Sequence, residues 1–343
     1  MKIIVRVFFV TLISGIMMIL LGVSMGLDGE KLDQFFTDVE SFGERIDLVI
    51  QEPLQKISID VDYKHVILKY HEHDYVMVSY YNKNTDQTST YIEDHTFTFI
   101  QKRGSNLSGG LTYKYPSQEG YMLHVYLPYD LVIDFELRID HGYLDVETDD
   151  VMHFNNIYIR SDKAMITMDQ IKANDVSINV YQAFFGMKGF EIERLSIDAH
   201  DNEVTLVDGH VDRLNVTLRD GHIEIYAGSY NMIQGISNHG MMHLIEVDVN
   251  NTIDLTSESG EIFVKTSQTK LIKASTQSGL ILVYVIDTSS YKMNFSTDHG
   301  RIDVNNTYMG QSFTKNSGSL DMILTSKDGH ISVNMSSAYY LPV

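Results

Sequence analysis

The chain has 343 residues, 46 of them acidic against 26 basic, for a formal charge of -20, and 43% are hydrophobic. That length suits one large domain or two ordinary ones, and the hydrophobic share suits a folded core. The negative field repels phosphate backbones and argues against nucleic acid as a partner. The absence of cysteine excludes disulfides, thiolate metal sites and a cysteine nucleophile.

The first segment, residues 1–27, reads as a cytoplasmic tip and membrane anchor. Val7 to Leu27 carry no charge and follow Lys2 and Arg6. Such a run is long enough to cross a hydrocarbon core of about 30 Å. The positive flank predicts a cytoplasmic N-terminus and an extracytoplasmic C-terminal domain at the cell membrane. A retained anchor is favoured over a cleaved signal peptide, because the small-residue stretch Gly22-Val23-Ser24 makes a poor cleavage site.

Over residues 28–53, Leu32, Phe35, Phe36, Val39, Phe42, Ile46 and Val49 recur at spacings of three and four. This predicts an amphipathic juxtamembrane helix or linker with an acidic outer face.

From residue 142 onward a small-residue corner recurs. Gly142, Gly221, Gly240, Gly260, Gly279, Gly300 and Gly318 fall in line, with Ala164, Ala183 and Asn202 in the same place between the first two. The intervals are 22, 19, 19, 19, 19, 20, 19, 21 and 18 residues. Two and four residues after each corner, and seven and five before most of them, the residue is apolar, as in Ile262/Val264 and Leu195/Ile197. Apolar residues two apart mark strands with one buried face. A steady period of this length marks stacked repeats.

The predicted fold is therefore all-β: a parallel β-solenoid (β-helix) of about 19-residue turns, preceded by the transmembrane helix and the short juxtamembrane helix. Turns would stack at ~4.8 Å. Residues 54–130 form an irregular N-terminal β part, in which Ile57, Ile59, Val61, Val66 and Leu68 give a first rung around Lys64. Residues 131–343 form the regular repeats with a C-terminal cap, since Gly329 follows Gly318 too closely for another full turn.

The stretches "KISIDVDYKHVILKY", "VYLPYD" at 125–130, "SGEIFV", "HGRIDV" and "DGHISV" resemble the bacterial "putative adhesin" family of β-strand-repeat envelope proteins of unknown function, which includes LiaG-like membrane-anchored members. The resemblance covers about residues 55–335. It implies an exported, envelope-associated protein, often tied to envelope stress, and brings no catalytic residues.

Equal offsets stack in a repeat, so clusters can be sought by register. Asp201, Asp220 and His239 hold the place before the corner on three successive turns. Stacked carboxylates and an imidazole could share a cation such as calcium or do acid–base work on a polysaccharide. The plainer account is that exposed corners of an acidic protein are polar. Asp303 and Asp321 share another offset and form a second, weaker pair. Outward positions also include Met165, Phe184, Met241, Phe263, Leu280 and Leu282, an apolar strip that could meet a partner or be covered by other parts of the chain.

No cofactor and no catalytic residue follows from these patterns, and no zinc-ligand spacing occurs among the 14 histidines. The reading is a non-catalytic, membrane-anchored extracytoplasmic module, adhesin-like or an envelope-stress scaffold. Its partners are the membrane through the N-terminal helix and an envelope protein or polysaccharide. The alternative is a carbohydrate-active or cation-dependent polysaccharide-binding β-helix.

Overall fold

The computed structural model describes residues 44–82, 86–103, 119–267 and 269–336. The described residues from Arg45 onward belong to one compact unit. All its strands join a single hydrogen-bonded sheet.

The first strands are β1 (Glu44–Ile50), β2 (Lys56–His71), β3 (Val76–Asn82), β4 (Asp86–Glu93), β5 (Thr96–Arg103) and β6 (Met122–Pro128). The middle of the chain gives β7 (Ile133–Glu147), β8 (Met152–Asp169), β9 (Ile171–Tyr181), β10 (Phe184–Lys188), β11 (Glu191–His200) and β12 (Asn202–Val207). It continues with β13 (His210–Leu218), β14 (Gly221–Tyr226), β15 (Ser229–Ser237), β16 (Met241–Thr266) and β17 (Leu271–Val285). The last strands are β18 (Tyr291–Thr297), β19 (Ile302–Val304), β20 (Thr307–Gly310), β21 (Ser312–Lys315), β22 (Leu320–Ser326) and β23 (His330–Met335).

Each turn has a first strand before the corner and a second strand after it. First strands pair with first strands in parallel, as β9, β11, β13 and β15 do. Second strands likewise pair through β8, β10, β12 and β14. Side chains alternate in and out, so a fixed interior column runs Ile157, Val176, Leu195, Leu214, Ile233, Ile253, each at most 2% exposed. Full burial of one such side chain stabilises by about 1.5–3 kcal/mol.

At the corners the stacking is closer than a side chain permits. A Cβ on Gly260, whose φ is +130°, would lie 2.2 Å from the Gly240 carbonyl oxygen. Several corners also carry a buried hydroxyl three residues earlier: Ser237 Oγ accepts from Gly240 N–H at 2.9 Å, and Ser326 Oγ from Gly329 N–H at 2.7 Å. Asn202 fills the corner place differently. Its side chain, 3% exposed, donates to the Val180 carbonyl at 2.7 Å and accepts from the Ala183 N–H one turn away.

The architecture expected from the sequence, a regular solenoid behind two N-terminal helices, is corrected. Among the described residues there is no α-helix, only the short 3-10 stretches Glu119–Tyr121 and Thr288–Ser290. No helix among them is long and apolar enough to cross a membrane. The run 7–27 lies outside the described residues, as do residues 28–43 of the expected juxtamembrane helix. The end of that helix is overturned directly, because Glu44–Ile50 form strand β1, paired with β3. Here Ile46, Leu48 and Ile50 alternate with polar or exposed neighbours, and an available sheet edge selects that period of two over the three-and-four spacing.

The rungs of the sheet do not follow chain order at either end. β2 pairs with β7 on one side and with β5 and β6 on the other, so the later turn lies outside the earlier one. At the far end β22 and β23 sit on β17, with β18 and β19 beyond them. The outermost rungs are covered by antiparallel strands: β4 on β5, β3 on β6, β21 on β18 and β20 on β19. A parallel rung left bare would offer unpaired N–H and C=O groups to another chain, and these reversals shield it.

Candidate functional site

The corner residues singled out by register are at the surface. Asp201 adopts φ +52°. Asp220 Oδ1 and His239 Nδ1 come within 3.8 Å, with side chains 57% and 63% exposed. Asp201 forms an ion pair with neither among the described residues, and no group of three or more His, Asp or Glu there is arranged to hold a metal ion. Asp303 and Asp321 are not neighbours. Asp303 lies in β19 against Arg301 and His330, whereas Asp321 lies in β22 beside Leu271.

The richer chemistry is on the outward face of the second strands. In register across the turns, one column reads Tyr143, Met165, Phe184, Glu203, His222, Met241. The next reads Asp145, Thr167, Gly186, Thr205, Glu224, His243. Later in β16 the same face carries Glu261 and Phe263, and in β17 it carries Leu280, Leu282 and Tyr284. A two-residue period fixes which of these face out, and the parallel register sets them side by side.

Four histidines on this face meet carboxylates of adjoining turns. His65 Nε2 lies 2.5 Å from Asp145 Oδ2 and His330 Nε2 lies 3.2 Å from Asp303 Oδ2. His222 is 4.0 Å from Glu203. His243 stands between Glu224 at 4.0 Å and Glu261 at 3.3 Å. The hydrogen bond from His65, assisted by Thr167, holds the Asp145 carboxyl below its usual range against the opposing effect of burial. Nearby, burial first and the Lys69 charge second lower the His124 imidazole, favouring its neutral form.

The apolar side chains interleave with these pairs. Met165 and Met241 are exposed, while Phe184, Phe263, Leu280 and Leu282 are half-buried by their column neighbours. The Phe263 ring centroid lies 5.7 Å from that of His243 and 5.6 Å from that of Tyr284. The face is thus a flat, hydrogen-bonded platform on which apolar and ionisable groups alternate at the spacing of parallel strands.

The sequence offset identified the apolar members. Equal offsets also place Glu203 beside His222 and Glu224 beside His243. They do not show His65–Asp145 or His330–Asp303, which join unequal offsets on rungs that are not consecutive in the chain. The signal was present in the charges at one and three residues past each corner.

An all-β strand-repeat protein with a patterned outer face is the class these features define. The chain belongs to the Toastrack DUF4097 family, whose model matches residues 54–231. Among solved structures, a "putative cell adhesion protein" from Clostridium sporogenes ATCC 15579 is similar at 11% identity over 85% of this chain and 100% of that one, with a TM-score of 0.21. A "putative adhesin" from Bacteroides fragilis NCTC 9343 is similar at 11% identity over 85% and 96%, with a TM-score of 0.36. At these scores neither likeness carries a functional argument. No curated protein matches the chain.

Proposed function

We propose that this chain is a non-catalytic, adhesin-like binding module of the cell envelope, held at the membrane with its β-unit on the extracytoplasmic side, which meets a protein partner through the second-strand face. The observation that carries the reading is the strip of Met165, Phe184, Met241, Phe263, Leu280 and Leu282 on the outside of a rigid sheet, where solvent-facing positions are ordinarily polar. Flanking imidazole–carboxylate pairs give such a surface polar contacts that fix register while the apolar groups supply burial. The charge-free run 7–27 behind Lys2 and Arg6 supports export.

The test is site-specific photocrosslinking in cells producing the full chain. A crosslinker at Met241 or Phe263 is expected to capture one discrete envelope protein, and a crosslinker at Asn215, exposed on the first-strand face, is not. Equal capture from all three positions, or none from the second-strand face, would overturn the assignment.

A further inference from the structure

A second feature lies away from this face, where four successive first strands begin. A trough of about 420 Å³ crosses β8, β9, β11 and β13. One rail is formed by His153, Lys172, Glu191 and His210, and the other by Asn155, Asn174, Glu193 and Asp212, with Phe154, Ala173 and Ile192 between them. Both rails repeat every 19 residues, as in the contact Lys172–Glu191 at 2.7 Å on the first and Asn231–Asp212 at 3.0 Å on the second.

The second rail is unusual in its backbone. Phe154 pairs with Ala173 and Asn156 with Asp175, and the equivalent residues Asn155 and Asn174 between them are not bridged, with the register unchanged. Glu193 and Asp212 are passed over in the same way. Each turn from β8 to β13 therefore bends at the same place, with the 19-residue register unchanged and an amide or a carboxylate at the unbridged position. None of these four residues has a positive φ, so left-handed backbone does not account for the choice of side chain. Among the described residues, Asn155, Asn174 and Glu193 have no side-chain hydrogen-bond partner, whereas Asp212 accepts from Asn231 at 3.0 Å.

We infer that this trough binds a linear polysaccharide free of acidic groups, composed of neutral or amine-bearing sugars. Groups repeated at the strand spacing of about 4.8 Å suit a polymer with its own regular array of polar groups. An extended peptide advances about 3.3 Å per residue and falls out of step with the rungs. Amides both donate and accept, and the carboxylates accept, which matches sugar hydroxyl, acetamido and amino groups. Val132, exposed at the margin of the trough, offers an apolar contact to the C–H face of a ring. Glu193, Asp212 and the chain's charge of -20 disfavour uronic-acid or phosphate polymers.

The experiment uses the full chain in detergent micelles, titrated calorimetrically with N-acetylglucosamine oligomers and with their deacetylated forms. The hexamer is expected to bind at least about tenfold more tightly than the dimer, because it spans more rungs. The double variant Asn174→Ala/Glu193→Ala is expected to lose about tenfold or more in affinity with an unchanged melting temperature. Asn155→Ala serves as an independent second variant, and Asn215→Ala on the flat face should leave binding intact. The inference fails if no oligomer binds, if affinity is independent of length, if the rail variants bind normally, or if polygalacturonate oligomers bind more tightly. None of these outcomes bears on the photocrosslinking result, which reads the opposite strands.

Discussion

Gly329 lies directly over Gly279, and Gly300 lies over Gly329: a Cβ on either Gly329 or Gly300 would stand 1.7 Å from the carbonyl oxygen of the glycine beneath it. The last turn of the chain is therefore an internal rung. It fills the gap between β17 and the pair β18–β19, with Leu280 opposite His330 and Ile302 opposite Ile331. Deleting residues 320–343 is accordingly expected to strip β18 and β19 of their parallel neighbours and to bare the outer edge of β17, which keeps its pairing with β16. Hydrogen exchange by mass spectrometry should show protection lost across 291–304 and weakened in 271–285, while β9 to β13 stay protected. Loss confined to residues past 304 would contradict an inserted rung.

The corner glycines separate two penalties. Gly260 needs both a positive φ and the space that a Cβ would take from the Gly240 carbonyl. Gly310, at φ +94°, has nothing within 4 Å of the same point. Gly260→Ala should cost about 2–3 kcal/mol, since backbone strain and collision combine. Gly310→Ala should cost about 1 kcal/mol, from φ alone. Chemical denaturation of the two variants side by side is the check, and equal losses would show that stacking at the corner does not control the choice of glycine.

Acid should weaken the N-terminal end of the sheet through two groups, His124 and Asp145. The folded His124 imidazole is held neutral by burial, whereas the unfolded chain takes up a proton below about pH 6.5. The unfolded state then binds more protons, and stability declines as pH falls through that range. Asp145 acts lower down. Its carboxyl is depressed chiefly by the His65 hydrogen bond, so its contribution is present above about pH 4 and is lost as pH drops toward its folded value. Melting temperature measured from pH 7 to pH 3 should fall across both windows. Asp145→Asn should flatten the lower one, and an unchanged slope there would remove Asp145 from the account.

The repeated turns from Gly142 to Gly279 were legible because one interval and one alternation are satisfied together, and only stacked parallel strands satisfy both. Residues such as Leu195 and Ile262 fell inside as their period requires. The ends were not legible, since an interval says which residues are equivalent and not which equivalent rungs touch. Gly300 follows Gly279 in sequence, yet the chain passes through the hairpin strands β20 and β21 and then returns, so that β22 and β23, with Gly329, take the place between them. The trough escaped notice for a different reason. At Asn155, Asn174 and Glu193 two successive residues face outward, and a search for alternation passes over such a bend.

Tyr230 provides a test of the interior itself. Its ring is 1% exposed between Val211 and Val249 in the first-strand ladder, with a valine on either side of it. The hydroxyl is buried without a hydrogen-bond partner among the described residues, and burial pushes its ionisation well above the ordinary tyrosine range. A buried donor left unmatched costs about 1–3 kcal/mol relative to its hydrated state. Phenylalanine keeps the ring and removes that cost. Tyr230→Phe is expected to raise the unfolding free energy by about 1 kcal/mol and to remove part of the stability loss above pH 10, where the unfolded tyrosine ionises and the folded one does not. A denaturation midpoint that moves downward instead would mean that the hydroxyl has a partner, such as an internal water, which holds this turn together.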